Sequence, residues 1–168
     1  MLSLKKVNFE DIVEEYRFVS SVPAEEKSFV NEWADVSREE FREKAIAVMI
    51  NYSNSSGLPE GYVPESMYFL WEEGHIIGWF RIRHHLCESL VNGSGHIGYY
   101  ISPQYRGKGF GTKGLQLAIR KAQKIIPEDE IYAIKHKSPF DINNNPITAY
   151  DEYNLSRKFI NFSIGISS

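Results

Sequence analysis

The chain has 168 residues, a formal net charge of -3 at pH 7, 42% hydrophobic residues and 24% charged residues. This length can bury one sizeable core and is short for two, so we expect a single domain over residues 1–168, with a helical part over residues 1–65 and a sheet-forming part over residues 66–168. The ordinary composition excludes a disordered or collagen-like chain, and the slightly acidic balance gives no general field for binding nucleic acid.

Cysteine usage and hydropathy indicate the compartment. The single cysteine, Cys87, has no second cysteine for an intramolecular disulfide or for a CxxC zinc motif, which is typical of a reducing cytoplasm. No segment approaches about eighteen consecutive apolar residues, the length of a membrane-spanning helix. We therefore expect a cytoplasmic protein that binds neither a metal nor a membrane.

The beginning of the chain predicts a short strand followed by helices. Residues 2–7 favour the strand, and Asn8 is placed to cap a first helix that ends near Pro23. A second helix is predicted over residues 24–35 because three apolar side chains would share one of its faces. These side chains are Phe29, Val30 and Trp33.

The next segments predict a third helix and then a change of period. Ser37 opens a capping box before a helix that reaches about Tyr52. Two β-type runs, residues 67–71 and 76–83, flank a tight turn at Gly74 and predict an antiparallel hairpin. In the second run, side chains alternate between two faces, with Trp79 and Arg81 on one and Phe80 and Ile82 on the other.

A third strand, residues 96–101, leads into a glycine-rich turn and then a helix. The turn and the first part of the helix carry Gly107, Gly109, Gly111 and Gly114. Apolar residues recur at helical spacing from Leu115 to Ile126, and Pro127 ends the pattern. A strand that leads through glycines into a helix N-terminus leaves backbone N–H groups open, with the positive end of the helix dipole behind them. The arrangement predicts a phosphate site. We refer to residues 106–112 as the glycine loop.

Two familiar phosphate patterns do not fit the glycine loop. A Walker loop needs Gly-Lys-Ser/Thr, whereas the order here is Gly111-Thr112-Lys113. Gly109-x-Gly111-x-x-Gly114 matches a dinucleotide fingerprint, but the following predicted strand, residues 130–136, has no acidic residue at its end to hold a ribose.

The third pattern, Arg106-x-x-Gly109-x-Gly111 after Pro103, resembles the acetyl-CoA motif of the GNAT N-acetyltransferase superfamily, in particular an uncharacterised bacterial branch of predicted acetyltransferases. The resemblance implies an α+β fold with a central mixed, mostly antiparallel sheet, flanking helices and a splayed parallel strand pair. It also implies acetyl-CoA as co-substrate. The cofactor-binding residues implied are Ile101, Arg106, Gly107, Lys108, Gly109, Phe110, Gly111, Thr112 and Asn143.

The same resemblance implies direct transfer of an acetyl group to a small-molecule or protein amine in a ternary complex. A backbone N–H near residues 100–102 would polarise the thioester. Tyr150, on a helix predicted over residues 146–153, would be the general acid, although a second register aligns Asn154 with the family helix instead. His96 is a candidate base. The short segment after Asn154 would leave a sheet edge that favours a homodimer. The alternative function is a CoA-binding module without turnover.

Overall fold

The computed structural model describes residues 1–27, 29–58, 60–91 and 94–127, together with Ile131. The strands among these residues are β1 (Ser3–Lys6), β2 (Glu25–Glu26), β3 (Phe29–Val30), β4 (Glu65–Glu72), β5 (His75–Arg83) and β6 (Ile97–Ile101). The α-helices are α1 (Ile12–Val19), α2 (Arg38–Glu40), α3 (Ile46–Asn51), α4 (Glu88–Val91) and α5 (Phe110–Ala122), and a π-helical segment, Phe41–Ala45, joins α2 to α3. The parallel strand, the Tyr150 helix and the closing strand that the sequence predicts lie outside the described residues.

Among the described residues, four strands form the main sheet in the order β1-β4-β5-β6, with every neighbouring pair antiparallel. The predicted hairpin is confirmed as β4 and β5, and Tyr68 on one strand faces Phe80 on the other. Helices flank the sheet on both sides, so the mixed α+β architecture with a mostly antiparallel sheet is confirmed. We name the two sides the Trp79 face and the Phe80 face after their central residues.

The Trp79 face packs against α1, the π-helical segment and α3. The Trp79 ring is fully buried, and the rings of Phe29, Trp33 and Phe69 lie 5.3, 5.9 and 5.6 Å from its centroid. Tilted and edge-on ring pairs at these distances add to the free energy gained by burying apolar area. This cluster holds the N-terminal elements on the sheet.

The Phe80 face packs against α5. The helix buries Leu115, Ala118, Ile119 and Ala122, which follow the predicted apolar spacing. A Cβ atom added to Gly114 would lie 2.5 Å from Cζ of Phe80, so the helix approaches the sheet more closely than any side chain at this position would allow. Gly114 therefore sets the distance between α5 and β5.

The prediction of a second helix over residues 24–35 is wrong. Residues Glu25–Glu26 and Phe29–Val30 instead form a two-stranded antiparallel sheet, which we call the N-terminal hairpin. The Asn31 side chain donates from Nδ2 to the carbonyl oxygens of Val19 and Val22, at 2.9 and 2.8 Å, and so fastens the chain to the end of α1. Phe29 is buried whereas Val30 is exposed, which an extended chain allows because its side chains alternate.

Two predicted helix starts have different outcomes. Asn8 does not cap α1: its Oδ1 accepts the Asp11 N–H at 2.8 Å and closes a turn one residue before the helix, which places Asp11 at the N-cap. The capping role of Ser37 is confirmed, because its Oγ accepts the Glu40 N–H at 3.1 Å. The helix from Arg38 ends at Asn51, close to the predicted Tyr52.

A buried ion pair anchors the N-terminal hairpin to the sheet. Arg81 donates from Nε and Nη2 to Oε1 of Glu65, at 2.8 and 2.6 Å, and from Nη1 to the carbonyl of Val30 at 3.1 Å. The Glu65 carboxylate balances the buried guanidinium charge, and Nη1 of Arg81 holds the backbone of β3. The hairpin is thus fixed to β5 independently of its side-chain packing.

Candidate functional site

A short turn joins β6 to the glycine loop. The Ser102 N–H donates to the carbonyl of Ile77 at 3.0 Å and extends the pairing with β5 by one residue. Pro103–Tyr105 then forms one 3-10 turn, and α5 begins at Phe110. The predicted succession of strand, glycine turn and helix is therefore confirmed.

Gly107 and Gly109 have the left-handed backbone that glycine adopts without strain, with φ of +74° and +79°. Gly109 is the N-cap of α5, and, apart from chain neighbours, no heavy atom of the described residues lies within 4 Å of a Cβ added to Gly107 or Gly109. Glycine is therefore needed at these positions because of the backbone conformation, and not because a side chain would lack space. Both residues are exposed, which leaves the loop backbone open to a ligand.

The start of α5 presents unpaired backbone donors. No residue in the described part of the chain accepts a hydrogen bond from the N–H of Phe110, Gly111 or Thr112. Donors of this kind at a helix N-terminus, backed by the helix dipole, bind phosphate groups. The exposed side chains of Lys108 and Lys113 stand beside them on the same stretch of chain. The arrangement fits a pyrophosphate.

The Arg106 side chain is held by protein groups. Its Nε donates to the carbonyl of Ile101 at 2.7 Å, its Nη1 donates to Oε1 of Glu26 at 2.7 Å, and its guanidinium lies 5.2 Å from the centroid of the Tyr100 ring. The hydrogen bond from Arg106 lowers the pKa of the Glu26 carboxyl, and the same bond raises the pKa of Arg106. Glu26 was not predicted from the sequence, because it is 80 residues away from Arg106 and part of no motif.

The other expected cofactor residues border the loop in different ways. Phe110 packs edge-on against Tyr105 with ring centroids 6.0 Å apart. A Cβ at Gly111 would point towards the sheet, at 3.5 Å from the Tyr99 ring and 3.7 Å from Ile101, which are ordinary contact distances. Thr112 is exposed in the first turn of α5. Asn143 lies outside the described residues.

Of the two expected catalytic residues, the structure describes His96, whereas Tyr150 lies outside the described residues. His96 precedes β6, is fully buried and accepts the Arg83 N–H on its carbonyl at 2.8 Å. Its imidazole therefore has no exposed surface, and its assignment as a base stays a prediction. Among the neighbouring histidines, burial lowers the pKa of His84, whose Nε2 lies 2.9 Å from Oγ of Ser66.

A shallow cavity of about 190 Å³ lies beside the loop, between α1 and the end of the sheet. Its charged lining includes the Glu14–Arg17 ion pair, with 2.5 Å between Oε1 and Nη1. Ser102 and Gln104 form the wall nearest to the loop.

Within the described ranges, no three His, Cys, Asp or Glu side chains lie close enough together to hold a metal ion. No helix described by the structure is both long and apolar enough to span a bilayer.

Charge is divided between the two faces of the sheet. Residues 1–65, which supply the helices and hairpin of the Trp79 face, contain thirteen Asp and Glu against seven Lys and Arg. Residues 103–127, which form the loop and α5, contain no acidic residue and six basic ones. The basic residues are Arg106, Lys108, Lys113, Arg120, Lys121 and Lys124, all exposed. The positive side therefore coincides with the open backbone donors.

Comparison with protein families identifies the family to which this site belongs. A model described as the acetyltransferase (GNAT) family matches residues 23–136, which is most of the chain and includes the glycine loop. The chain belongs to the GNAT acetyltransferase family. This confirms the resemblance identified from the Arg106-x-x-Gly109-x-Gly111 motif.

Solved structures of GNAT proteins are similar to this chain. RimL, a ribosomal α-N-protein acetyltransferase in complex with coenzyme A, is 19% identical, with a TM-score of 0.50 over 71% of this chain and 62% of its own. An acetyltransferase of the GNAT family from Streptococcus pneumoniae is 20% identical, with a TM-score of 0.49 over 75% and 70%. A chimera of the spermidine N-acetyltransferase SpeG from Vibrio cholerae and hSSAT is 16% identical, with a TM-score of 0.47 over 74% and 64%.

These structural matches span less than two thirds of RimL and of the SpeG chimera. At 19% identity the likeness to RimL concerns the fold alone, and it agrees with the GNAT assignment. No curated protein matches the chain in sequence.

Proposed function

We propose that this GNAT protein transfers the acetyl group of acetyl-CoA to an amine of a small molecule or protein, by direct attack in a ternary complex. The observation that carries the proposal is the set of open N–H groups at the start of α5, reached through two left-handed glycines. Gly107 and Gly109 allow close approach of the backbone, and Lys108, Lys113 and the Thr112 hydroxyl add charge and hydrogen bonds for phosphate oxygens. Acetyl-CoA would supply the activated acyl group.

The hydrogen-bond pattern of β6 narrows the choice of the donor that polarises the thioester. The Ser102 N–H and the His96 carbonyl both bond to β5, at 3.0 and 2.8 Å, so even-numbered residues of this strand point their backbone groups towards β5. Because backbone groups alternate along a strand, the Ile101 N–H points to the opposite edge. We propose this N–H as the donor to the oxygen that becomes negative during transfer.

Tyr150 is the proposed general acid, which protonates the departing thiolate. A phenol with an ordinary pKa of about 10 is protonated at neutral pH and can therefore donate. The acceptor amine must lose a proton before or during attack, and ordered water would receive it first, because the candidate base His96 has no exposed side-chain surface. The substrate amine is proposed by class only, and the acidic residues of the Trp79 face favour a positively charged acceptor.

Replacing Gly109 with alanine is expected to weaken acetyl-CoA binding about tenfold. An L-residue at φ of +79° is strained by about 1 to 2 kcal/mol, and relaxation of the loop would turn the backbone donors away from the phosphates. Calorimetric titration with acetyl-CoA measures the effect. Gly57→Ala is the matched control, since Gly57 also has φ of +79° but lies in a surface turn remote in sequence from the loop. Equal affinities of the wild type and the Gly109 variant would contradict the phosphate role of the loop.

Replacing Tyr150 with phenylalanine is expected to lower kcat by about a hundredfold, because the variant lacks the general acid. The affinity for acetyl-CoA should not change. The measurement is release of CoA thiol with a panel of diamines, amino acids and peptides. Tyr62→Phe, at an exposed tyrosine before β4, is the control. Unaltered turnover in the Tyr150 variant would exclude its role, and tight binding of acetyl-CoA without turnover on any amine would favour the CoA-binding module.

A further inference from the structure

Arg106 is the first residue of the cofactor motif, yet its guanidinium is directed at the protein. Two of its nitrogens have short hydrogen bonds, Nε to the Ile101 carbonyl and Nη1 to Glu26, both at 2.7 Å. The plane of the group also lies near the Tyr100 ring. A guanidinium has a fixed fork of donors, so these contacts determine its position. Arg106 therefore connects the end of β6 to the N-terminal hairpin at the base of the glycine loop.

The hairpin is a firm support for this connection. Arg81 binds the carbonyl of Val30, and the Phe29 ring lies 5.7 Å from the ring of Tyr100. Asn31 fastens the following residue to the end of α1. Glu26 is thus attached to a segment that is itself held at three points. Its carboxylate approaches Arg106 from a fixed direction.

We propose that Glu26 is a positioning residue for the cofactor loop: it holds Arg106 on the Ile101 carbonyl and thereby fixes the glycine loop in its ligand-binding conformation. The inference rests on the proposed function, because the ligand of the loop is taken to be acetyl-CoA. In this proposal Glu26 does not bind the ligand directly. Its effect passes through Arg106 to the backbone where the strand ends and the loop begins.

Removing the Glu26 carboxylate changes the affinity for acetyl-CoA in opposite directions, depending on whether Glu26 positions the loop or acts through its charge alone. Acetyl-CoA is an anion, so removing a carboxylate near its phosphates would strengthen binding if charge alone mattered. If Glu26 positions the loop, removing it weakens binding, because Arg106 loses its carboxylate partner. The pair is partly exposed, with side-chain exposures of 37% for Arg106 and 26% for Glu26. The effect should therefore be modest, about three- to fivefold in affinity.

The test compares Glu26→Ala with Glu25→Ala. Glu25 is exposed on the same strand of the hairpin, and the change removes the same charge. We expect the KM for acetyl-CoA to rise about three- to fivefold in the Glu26 variant, with kcat and the KM for the amine unchanged. The Glu25 variant should match the wild type or bind slightly more tightly. A purely structural role would instead lower the melting temperature without this selective change in KM.

A double-mutant cycle with Arg106→Gln completes the test. If Glu26 acts through Arg106, the double variant should bind acetyl-CoA no more weakly than Arg106→Gln alone. Additive losses, or unchanged affinity in Glu26→Ala, would overturn the proposal. Absence of acetyl-CoA binding by the wild type would instead overturn the proposed function, so the two failures can be told apart.

Discussion

Replacing Gly114 with alanine will lower the free energy of unfolding by about 2 kcal/mol, a typical cost of overpacking a core. The added methyl group would lie 2.5 Å from Cζ of Phe80 and 2.9 Å from Cδ2 of Leu70. Neither side chain can move aside freely, since both are fully buried and the Phe80 ring is stacked on Tyr99 with centroids 5.2 Å apart. Urea unfolding followed by circular dichroism measures the change.

Gly111→Ala is the matched control for this prediction. Both glycines lie in the first turns of α5, so alanine improves the helix propensity equally, by up to about 1 kcal/mol. At Gly111 the methyl group would lie 3.5 Å from the Tyr99 ring, an ordinary contact, so this variant should be as stable as the wild type or more stable. Equal stabilities of the two variants would show that α5 does not depend on the small size of Gly114.

Replacing Glu15 with glutamine will remove a pH-dependent loss of stability. The side chain is fully buried on α1, where its Oε1 accepts the Asn8 N–H at 3.1 Å and its Oε2 has no partner among the described residues. Burial raises the pKa of Glu15 from 4.5 to about 8, with a smaller contribution from the charge of Asp11. Below pH 8 the folded protein therefore keeps a proton that the unfolded chain releases above pH 4.5.

This proton determines the direction in which the free energy of unfolding changes with pH. As the pH rises from about 4.5 to 8, the free energy of unfolding of the wild type falls, and at pH 7 the loss from Glu15 amounts to about 3 kcal/mol. Glutamine does not ionise, so the variant should gain stability relative to the wild type as the pH rises from 5 to 8. Thermal unfolding across this range tests the prediction. Glu14→Gln, at the partly exposed neighbour, is the control. A constant difference in the free energy of unfolding between the wild type and the Glu15 variant at all pH values would contradict the prediction.

Local patterns predicted the part of the fold that carries the loop. The alternation around Trp79 and Phe80 is a signal of a strand between two cores, and the tight turn at Gly74 fixes the pairing of β4 with β5. The spacing from Leu115 to Ala122 is likewise enough to identify α5 and its buried face. These elements depend on residues within a few positions of each other, which is why the sequence alone predicts them.

The features that the sequence did not predict depend on contacts between residues far apart in the chain. Phe29, Val30 and Trp33 have a spacing compatible with a helix, but contacts of Phe29 with Trp79 and Tyr100, and of the Val30 carbonyl with Arg81, hold the segment as a hairpin. Tertiary packing of this kind overrides local propensity. The link between Glu26 and Arg106 depends on the same hairpin and could not be predicted without it. Gly114 fitted the spacing of a phosphate fingerprint, whereas its observed role is the close packing of a helix on a sheet.

Among the described residues, the division of charge across the sheet creates an electric dipole. Its positive end lies on the loop and α5, and its negative end lies on the N-terminal elements. A multiply charged anion would be attracted and turned towards the loop before any contact forms, over a range of about 10 Å at about 0.1 M salt. If the proposed function holds, ionic strength should therefore act chiefly on the rate of encounter with acetyl-CoA, whereas the lifetime of the complex would depend on hydrogen bonds from the open backbone N–H groups of the loop.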